Sequence, residues 1–75
     1  MPESVLKVLV NGEQREIEPG TRLRTLVSEL ELKPDRIAIE LNRRILRKAD
    51  WDSTELAEGD AVEVVSFVGG GAGLV

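Results

Sequence analysis

The feature that most constrains the fold is the pair Asn11-Gly12, which separates two segments that can each form a strand. Residues 5–10 alternate around a lysine, so their even-numbered apolar side chains share one face of a strand. Asn-Gly is well suited to the two positive φ angles of a tight type I′ turn. Residues 13–18 can then pair back with Ile17 inward. We expect the chain to open with a β-hairpin.

A helix is predicted after the hairpin. Pro19-Gly20 ends the second strand, because proline offers no N–H to a β-ladder, and Thr21 is expected to cap the helix amides. Lys33-Pro34-Asp35 is expected to break the helix. Between these signals, apolar residues recur at i, i+3, i+4 and i+7 and form one stripe: Leu23, Leu26, Val27 and Leu30. This stripe should pack on the hairpin.

The second half of the chain predicts three further strands. Alternation favours strands over residues 37–41 and 61–68, with a very short edge strand at residues 45–46. Residues 47–58 are interpreted as an irregular connection anchored by Trp51 and Leu56. A sheet that curls around one helix can pair its first and last strands in the centre. We therefore expect an α+β β-grasp fold, with a mixed four- to five-stranded sheet packed on one main helix.

The composition excludes most kinds of catalytic site. The chain has 75 residues, 41% of them apolar, which is enough for one small core and leaves little room for a deep cavity. It contains no cysteine and no histidine, so thiol nucleophiles and thiolate or imidazole metal sites are absent. We expect no catalytic residues, no metal site and no bound cofactor.

Charge and hydropathy indicate where such a chain works. Its net charge of −4 has the wrong sign for a nucleic-acid partner. No apolar run is long enough for a membrane span, and residues 1–4 lack the features of a signal peptide. We expect a soluble, cytoplasmic protein that binds neither nucleic acid nor a membrane.

Glycines are concentrated near the carboxyl end. Four of the seven lie within residues 69–73, directly after the last predicted strand. We expect a domain over residues 1–68 and a flexible glycine-rich tail over residues 69–75. A frayed terminus is the plain explanation of such a run. Alternatively, a backbone without Cβ atoms can thread a narrow channel in another protein and present its terminal carboxylate there.

The sequence resembles the ThiS family of sulfur-carrier proteins, which have a ubiquitin-like β-grasp fold. The resemblance covers nearly the whole chain and rests on residues 10–13, 38–42, Trp51 and, above all, residues 58–71. In that last block, Gly-Asp, an alternating valine strand and Phe-Val-Gly-Gly-Gly follow in register. This block is more similar to ThiS than to the small subunit of molybdopterin synthase.

The resemblance implies a chemistry that takes place on the main chain. An E1-like adenylyltransferase would use ATP to adenylate the carboxylate of Gly71, which ends the functional pair Gly70-Gly71. A sulfur donor protein would supply the sulfur of a thiocarboxylate, and thiazole synthase would receive that sulfur for the thiazole of thiamine. The chain would then be a protein cosubstrate and not an enzyme, with ATP used by the activating partner.

Residues 72–75 depart from the family pattern, in which the chain usually stops at the diglycine. We expect a tail-trimming peptidase to remove these four residues and expose the Gly71 carboxylate. If they are retained, Val75 carries the terminal carboxylate, and the bulky Leu74 and Val75 should impede a narrow channel.

The residues before the glycines are candidates for partner docking. Val65 and Phe67 share the parity of Glu63, so they are predicted to point away from the helix. Together with Val68 and Gly69 they form the predicted docking segment, although a loop that covers them is the plain alternative.

Other interpretations stay open at this point. The chain could be a sulfur carrier for molybdopterin or cysteine synthesis, or a noncovalent β-grasp interaction module with a glycine linker. A basic stretch is interpreted as an ordinary solvated hairpin, with a partner-steering patch as the alternative: Arg43, Arg44, Arg47 and Lys48.

Overall fold

The predicted hairpin is confirmed in the computed structural model, which describes residues 5–66. Strand β1 (Leu6–Val10) pairs antiparallel with β2 (Glu13–Ile17). The turn residues Asn11 and Gly12 have φ angles of 51° and 86°, the two positive values that a type I′ turn requires. Ile17 is buried, as its inward position in the alternating pattern predicts.

Helix α1 (Leu23–Glu29) buries three residues of the predicted stripe, Leu23, Leu26 and Val27, while the fourth, Leu30, is the C-cap residue and is partly buried. The start of the helix differs from the prediction. Thr21 does not cap it, because its Oγ1 donates a 2.6 Å hydrogen bond to the Glu18 carbonyl. The N–H of Leu23 instead donates to the carbonyl of Thr54, at 2.8 Å. A distant backbone segment therefore satisfies the helix amide that the local rule had assigned to a side chain.

The end of α1 also differs from the prediction. The helix stops before Lys33-Pro34-Asp35, at a turn in which Glu31 has a φ of 61°. The N–H groups of Glu31 and Leu32 donate to the carbonyls of Ser28 and Val27, at 3.0 and 3.3 Å. This is the Schellman pattern, normally built with glycine at the position that glutamate has here. The proline begins a separate 3₁₀ turn, Pro34–Arg36.

The three predicted strands of the second half are present. They are β3 (Ile37–Leu41), β4 (Arg44–Leu46) and β5 (Ala61–Ser66), and the sheet order is β2-β1-β5-β3-β4. Strand β5 lies in the centre, parallel to β1 and antiparallel to β3. The mixed sheet of five strands on one main helix is the β-grasp fold. The prediction for the last strand extends to Val68, and its final two residues lie outside those described.

The core lies between α1, the inner face of the sheet and the long connection before β5. That connection, predicted to be irregular, contains a 3₁₀ helix, Lys48–Ser53, whose Trp51 is only 1% exposed. Full burial of a large apolar side chain contributes about 1.5 to 3 kcal/mol, so the connection is fixed by its apolar anchors. The buried core consists of Val8, Val10, Ile17, Leu23, Leu26, Val27, Ile37, Ile39, Trp51, Leu56 and Val62.

Candidate docking surface

One residue of the predicted docking segment, Val65, lies within the described part of the chain. Its side chain is 53% exposed, and it lies opposite Ala38 on the sheet face that points away from α1. The alternative that a loop covers it is therefore wrong for Val65. The other predicted site residues lie outside the described residues: Phe67, Val68, Gly69, Gly70 and Gly71.

Two asparagines in hairpin turns hold β5, the strand that precedes the glycines. The ladder between β1 and β5 ends at the pair Val10–Val62, and the Oδ1 of Asn11 then accepts a 2.8 Å hydrogen bond from the Val64 N–H. On the other side, the Oδ1 of Asn42 accepts from the Ala61 N–H at 2.9 Å. On each border a side chain therefore adds to the ladder: Asn42 at Ala61, where the strand begins, and Asn11 at Val64, two residues before Ser66.

A shallow cleft of about 380 Å³ opens where β5 passes the first hairpin turn. Its lining is mixed, with apolar side chains from the end of α1 and from β5 and with polar groups from β2: Val10, Asn11, Glu13, Arg15, Leu30, Leu32, Val64 and Ser66. None of these side chains is a nucleophile paired with a base at hydrogen-bond distance, which acyl or phosphoryl chemistry would require. The cleft can hold part of a partner, but its side chains supply no reaction.

The described residues hold no cluster that could bind a metal. Across residues 5–66, no group of three or more Asp, Glu, His or Cys side chains is placed for coordination. Within the same residues, no helix is both long enough and apolar enough to cross a membrane.

The basic stretch of the second hairpin is partly neutralised within the chain. Lys48 pairs with Asp35, and its hydrogen bond and positive charge lower the pKa of the Asp35 carboxyl below the ordinary value. The Nε of Arg47 lies 3.7 Å from Oδ2 of Asp50. The four predicted positive charges therefore do not act as one free patch, which favours the interpretation as a solvated hairpin.

Sequence reasoning missed two exposed apolar residues on the same sheet face as Val65. Leu9 is 40% exposed and Ile45 is 74% exposed. The alternation of β1 already places Leu9 opposite to the buried Val8 and Val10, so this signal was available. Ile45 needed the register of β4, which pairs it with Glu40 and its neighbour Leu46 with the buried Ile39.

A profile of the ThiS family matches residues 8–71 of the chain. The chain belongs to the ThiS family. This membership confirms the resemblance on which the sequence interpretation rests, and the matched range includes both Gly70 and Gly71. The fold agrees with a ThiS structure: that of the thiamine biosynthesis protein ThiS from Geobacter metallireducens has a TM-score of 0.77 and 30% identity. The similarity covers 88% of this chain and 100% of that one.

The curated relatives of the chain include a sulfur carrier protein and thiazole synthases. The sulfur carrier protein ThiS of Bacillus subtilis is 33% identical over 54 residues, which are 72% of this chain and 80% of that protein. A thiazole synthase of Magnetococcus marinus is 36% identical over 66 residues, which are 88% of this chain but 20% of that protein. The chain thus spans about a fifth of the length of the thiazole synthases it matches.

Proposed function

We propose that this chain is a sulfur carrier of thiamine biosynthesis and that its reactive group is a main-chain glycine carboxylate. The observation that carries the proposal is the ThiS family match, which extends through Gly70 to Gly71. The position of β5 supports it, because a central strand held on both borders gives the residues after Ser66 a fixed origin.

The chemistry follows from the weakness of a carboxylate as an electrophile. In the proposed sequence, the Gly71 carboxylate attacks the α-phosphorus of ATP on an E1-like adenylyltransferase, and pyrophosphate leaves. The outer sulfur of a persulfide on the donor protein then attacks the acyl carbon, and AMP leaves. A second thiol attacks the S–S bond of the resulting acyl disulfide, which releases the thiocarboxylate and leaves a disulfide behind, so that one carboxylate oxygen is replaced by sulfur. The chain needs no catalytic side chain for these steps, since the partner supplies the catalysis.

Thiazole synthase is the proposed recipient of the sulfur. Proteins with that name contain a region similar to nearly the whole of this chain, which supports a working association between the two activities. The thiocarboxylate would deliver its sulfur to the thiazole that this partner builds. The adenylyltransferase and the sulfur donor protein are further partners in the proposal, and the cytoplasm is the proposed location.

Gly71 must become the terminal residue for this chemistry to proceed. We therefore include removal of residues 72–75 by a tail-trimming peptidase in the proposal. The end of the family match at Gly71 supports this boundary. The mass of the protein isolated from its own cells checks it: the expected species ends at Gly71, and a sulfur-bearing species that retains Val75 would contradict the trimming step.

The test of the function is a measurement of intact mass. A chain that ends at Gly71, incubated with ATP, the adenylyltransferase and a sulfur donor, should release AMP and gain about 16 Da as sulfur replaces oxygen. A matched chain that ends at Gly69 should gain nothing. If the Gly71 chain binds the adenylyltransferase but never gains mass, the protein is a noncovalent interaction module.

A second assay separates thiamine synthesis from the other sulfur pathways. The sulfur-charged chain should support thiazole formation when it is mixed with thiazole synthase and the other thiazole precursors. Transfer to molybdopterin synthase components but not to thiazole synthase would assign the chain to the molybdopterin pathway instead.

A further inference from the structure

Strand β5 runs past the end of its neighbour β1, so one border of β5 becomes open. The ladder between the two strands ends at the pair Val10–Val62. Two residues later, the Val64 N–H donates a 2.8 Å hydrogen bond to the Oδ1 of Asn11, which belongs to the first hairpin turn. Beyond that contact, no strand within residues 5–66 borders β5 on this side.

The backbone groups of Ser66 face this open border. In an antiparallel ladder, opposite residues alternate between pairs that exchange two hydrogen bonds and pairs that exchange none. The Asn42 N–H donates to the Ala61 carbonyl, so the odd-numbered residues of β5 direct their backbone groups to β3. Ser66 is even-numbered and directs its groups to the other side, as Val64 does. A strand border of this kind is a place where an extended segment can add to the sheet.

An apolar floor lies beside the open border. The cleft of about 380 Å³ next to the first turn has Leu30, Leu32 and Val64 in its lining, and all three are partly buried against the core. A cavity of about 150 Å³ can hold a benzene molecule, so this cleft has room for an aliphatic side chain. Ser66 lines the same cleft. A segment that pairs with Ser66 could therefore place a side chain in the cleft.

The sequence that follows Ser66 contains a segment of the required kind. Leu74 and Val75 are aliphatic, and they are separated from β5 by a stretch that includes Gly69-Gly70-Gly71. Consecutive glycines accept the positive φ angles of the two-residue turn that reverses a strand. A segment attached to β5 by so short a connection has a local concentration in the millimolar range, which a segment of a separate protein lacks.

A two-residue turn at Gly69-Gly70 gives a register that fits the open border. It places Gly73 across from Ser66 and Leu74 across from Val65, whose side chain is 53% exposed. The residues that flank such a turn form a hydrogen-bonded pair, and bonded pairs then recur at every second residue. The bonded pairs therefore fall on the even-numbered residues of β5, in agreement with the direction of the Ser66 backbone groups.

We infer that residues 72–75, while they are present, add to the open border of β5 as a short antiparallel strand. Leu74 covers Val65, and Val75 enters the cleft, because Asn11 already occupies the place across from Val64. The segment is then autoinhibitory, since it holds the diglycine at a turn and away from any narrow channel of a partner. In this consequence the inference rests on the proposed function, and it gives the trimming step a second effect, which is to release the diglycine from the domain.

The test follows the backbone amide of Ser66 by hydrogen exchange in four chains. These are the full chain, a chain that ends at Gly71, the variant Leu74→Ser/Val75→Ser, and the control Leu74→Val/Val75→Leu, which keeps both aliphatic side chains. In the full chain and the control, this amide should exchange about tenfold more slowly than in the other two chains. Every change lies outside residues 5–66, so the five strands and α1 are unaltered.

A second measurement locates the docked segment directly. In the full chain, nuclear Overhauser contacts should join the methyl groups of Val75 to those of Leu32 and Val64, which line the cleft. The inference is wrong if these contacts are absent or if Ser66 exchanges equally fast in the full chain and in the chain that ends at Gly71. It is also wrong if Leu74→Ser/Val75→Ser keeps the slow exchange, or if the control loses it.

Tail docking and sulfur transfer are separate readouts, so the two proposals can fail independently. If the chain that ends at Gly71 gains sulfur but Ser66 exchanges alike in all four chains, the docked tail alone is contradicted. If Ser66 is protected in the full chain but the chain that ends at Gly71 never releases AMP or gains mass, the sulfur-carrier function is contradicted and the docked tail is supported.

Discussion

The two hairpin turns of this protein have similar backbone conformations but different sequences. The first is Asn11-Gly12, with φ angles of 51° and 86°, and the second is Asn42-Arg43, with φ angles of 53° and 72°. Both asparagines accept a hydrogen bond from the backbone of β5. The asparagine is therefore the shared element of both turns. Glycine at the second position makes the conformation easy, but it is not required for it.

The difference shows that side-chain hydrogen bonds to the central strand can hold a turn whose second residue disfavours a positive φ angle. The left-handed region costs a residue with a Cβ about 1 to 2 kcal/mol, and Arg43 occupies it. Asn42 makes one contact more than Asn11, because its Nδ2 also donates to Oδ1 of Asp60 at 2.9 Å. The turn whose second residue is less suited to a positive φ angle thus has the additional side-chain hydrogen bond.

Removal of the two hydrogen bonds of Asn42 should have the largest effect on stability. In Asn42→Ala, the Ala61 N–H and the Asp60 carboxylate both lose a partner, and a residue less tolerant of positive φ remains. We expect the free energy of unfolding to fall by about 3 kcal/mol, measured by urea denaturation. A loss under about 1 kcal/mol would show that the β3–β4 ladder alone holds this turn.

Removal of the single hydrogen bond of Asn11 should have a smaller effect on stability. Asn11→Ala deprives the Val64 N–H of its acceptor but leaves the good turn residue Gly12 in place. The expected loss is about 2 kcal/mol. Hydrogen exchange gives a local check, since the amide of Val64 should lose more protection than the amide of Val62. Equal loss at the two amides would contradict a local role for Asn11.

Exchange of the second turn residues tests the contrast directly. A Cβ at Gly12 would meet no atom within 4 Å, so Gly12→Ala should lose about 1 kcal/mol from backbone strain alone. Arg43→Gly should gain about 0.5 kcal/mol, because relief of the strain is partly offset by the greater freedom of glycine in the unfolded chain. Changes of the same sign in the two variants would contradict this account.

The smallest effect concerns the ion pair beside the second hairpin. The folded-state pKa of Asp35 is lowered mainly by its hydrogen bond from Lys48, so the pair stabilises the fold above the unfolded pKa of the carboxyl. That contribution is lost as the pH falls through the folded-state value. Asp35 is fully exposed, and the effect should weaken with salt. The wild type should lose slightly more stability than Asp35→Asn between pH 5 and pH 2; identical pH curves would show that the pair contributes nothing.

Much of the fold can be predicted from the sequence because its signals are local. Asn11-Gly12 gives the first hairpin, and the spacing of Leu23, Leu26 and Val27 gives the buried face of α1. The predictions that failed concern features that depend on contacts distant in sequence or on an unusual residue. Thr21 was expected to cap the helix, but the N–H of Leu23 bonds to the backbone carbonyl of Thr54 instead. No rule of composition marks Glu31 as the residue at which a helix ends.

The candidate site shows the same division. Val65 was found because parity along one strand is local information. Ile45 was missed because a strand of three residues shows too little alternation, so its face required the register between β3 and β4. The roles of Phe67, Val68, Gly69, Gly70 and Gly71 stay predictions, since these residues lie outside those described.

The central place of β5 also bears on when the carrier becomes competent during synthesis. Strands β1 and β5 are neighbours in the sheet but lie at opposite ends of the domain sequence, so β1 cannot acquire this partner until the ribosome has made β5. Before that moment the β1–β2 and β3–β4 hairpins have no strand to join them. The glycine segment is translated after β5, so no chain can present these glycines before every strand of the sheet has been made.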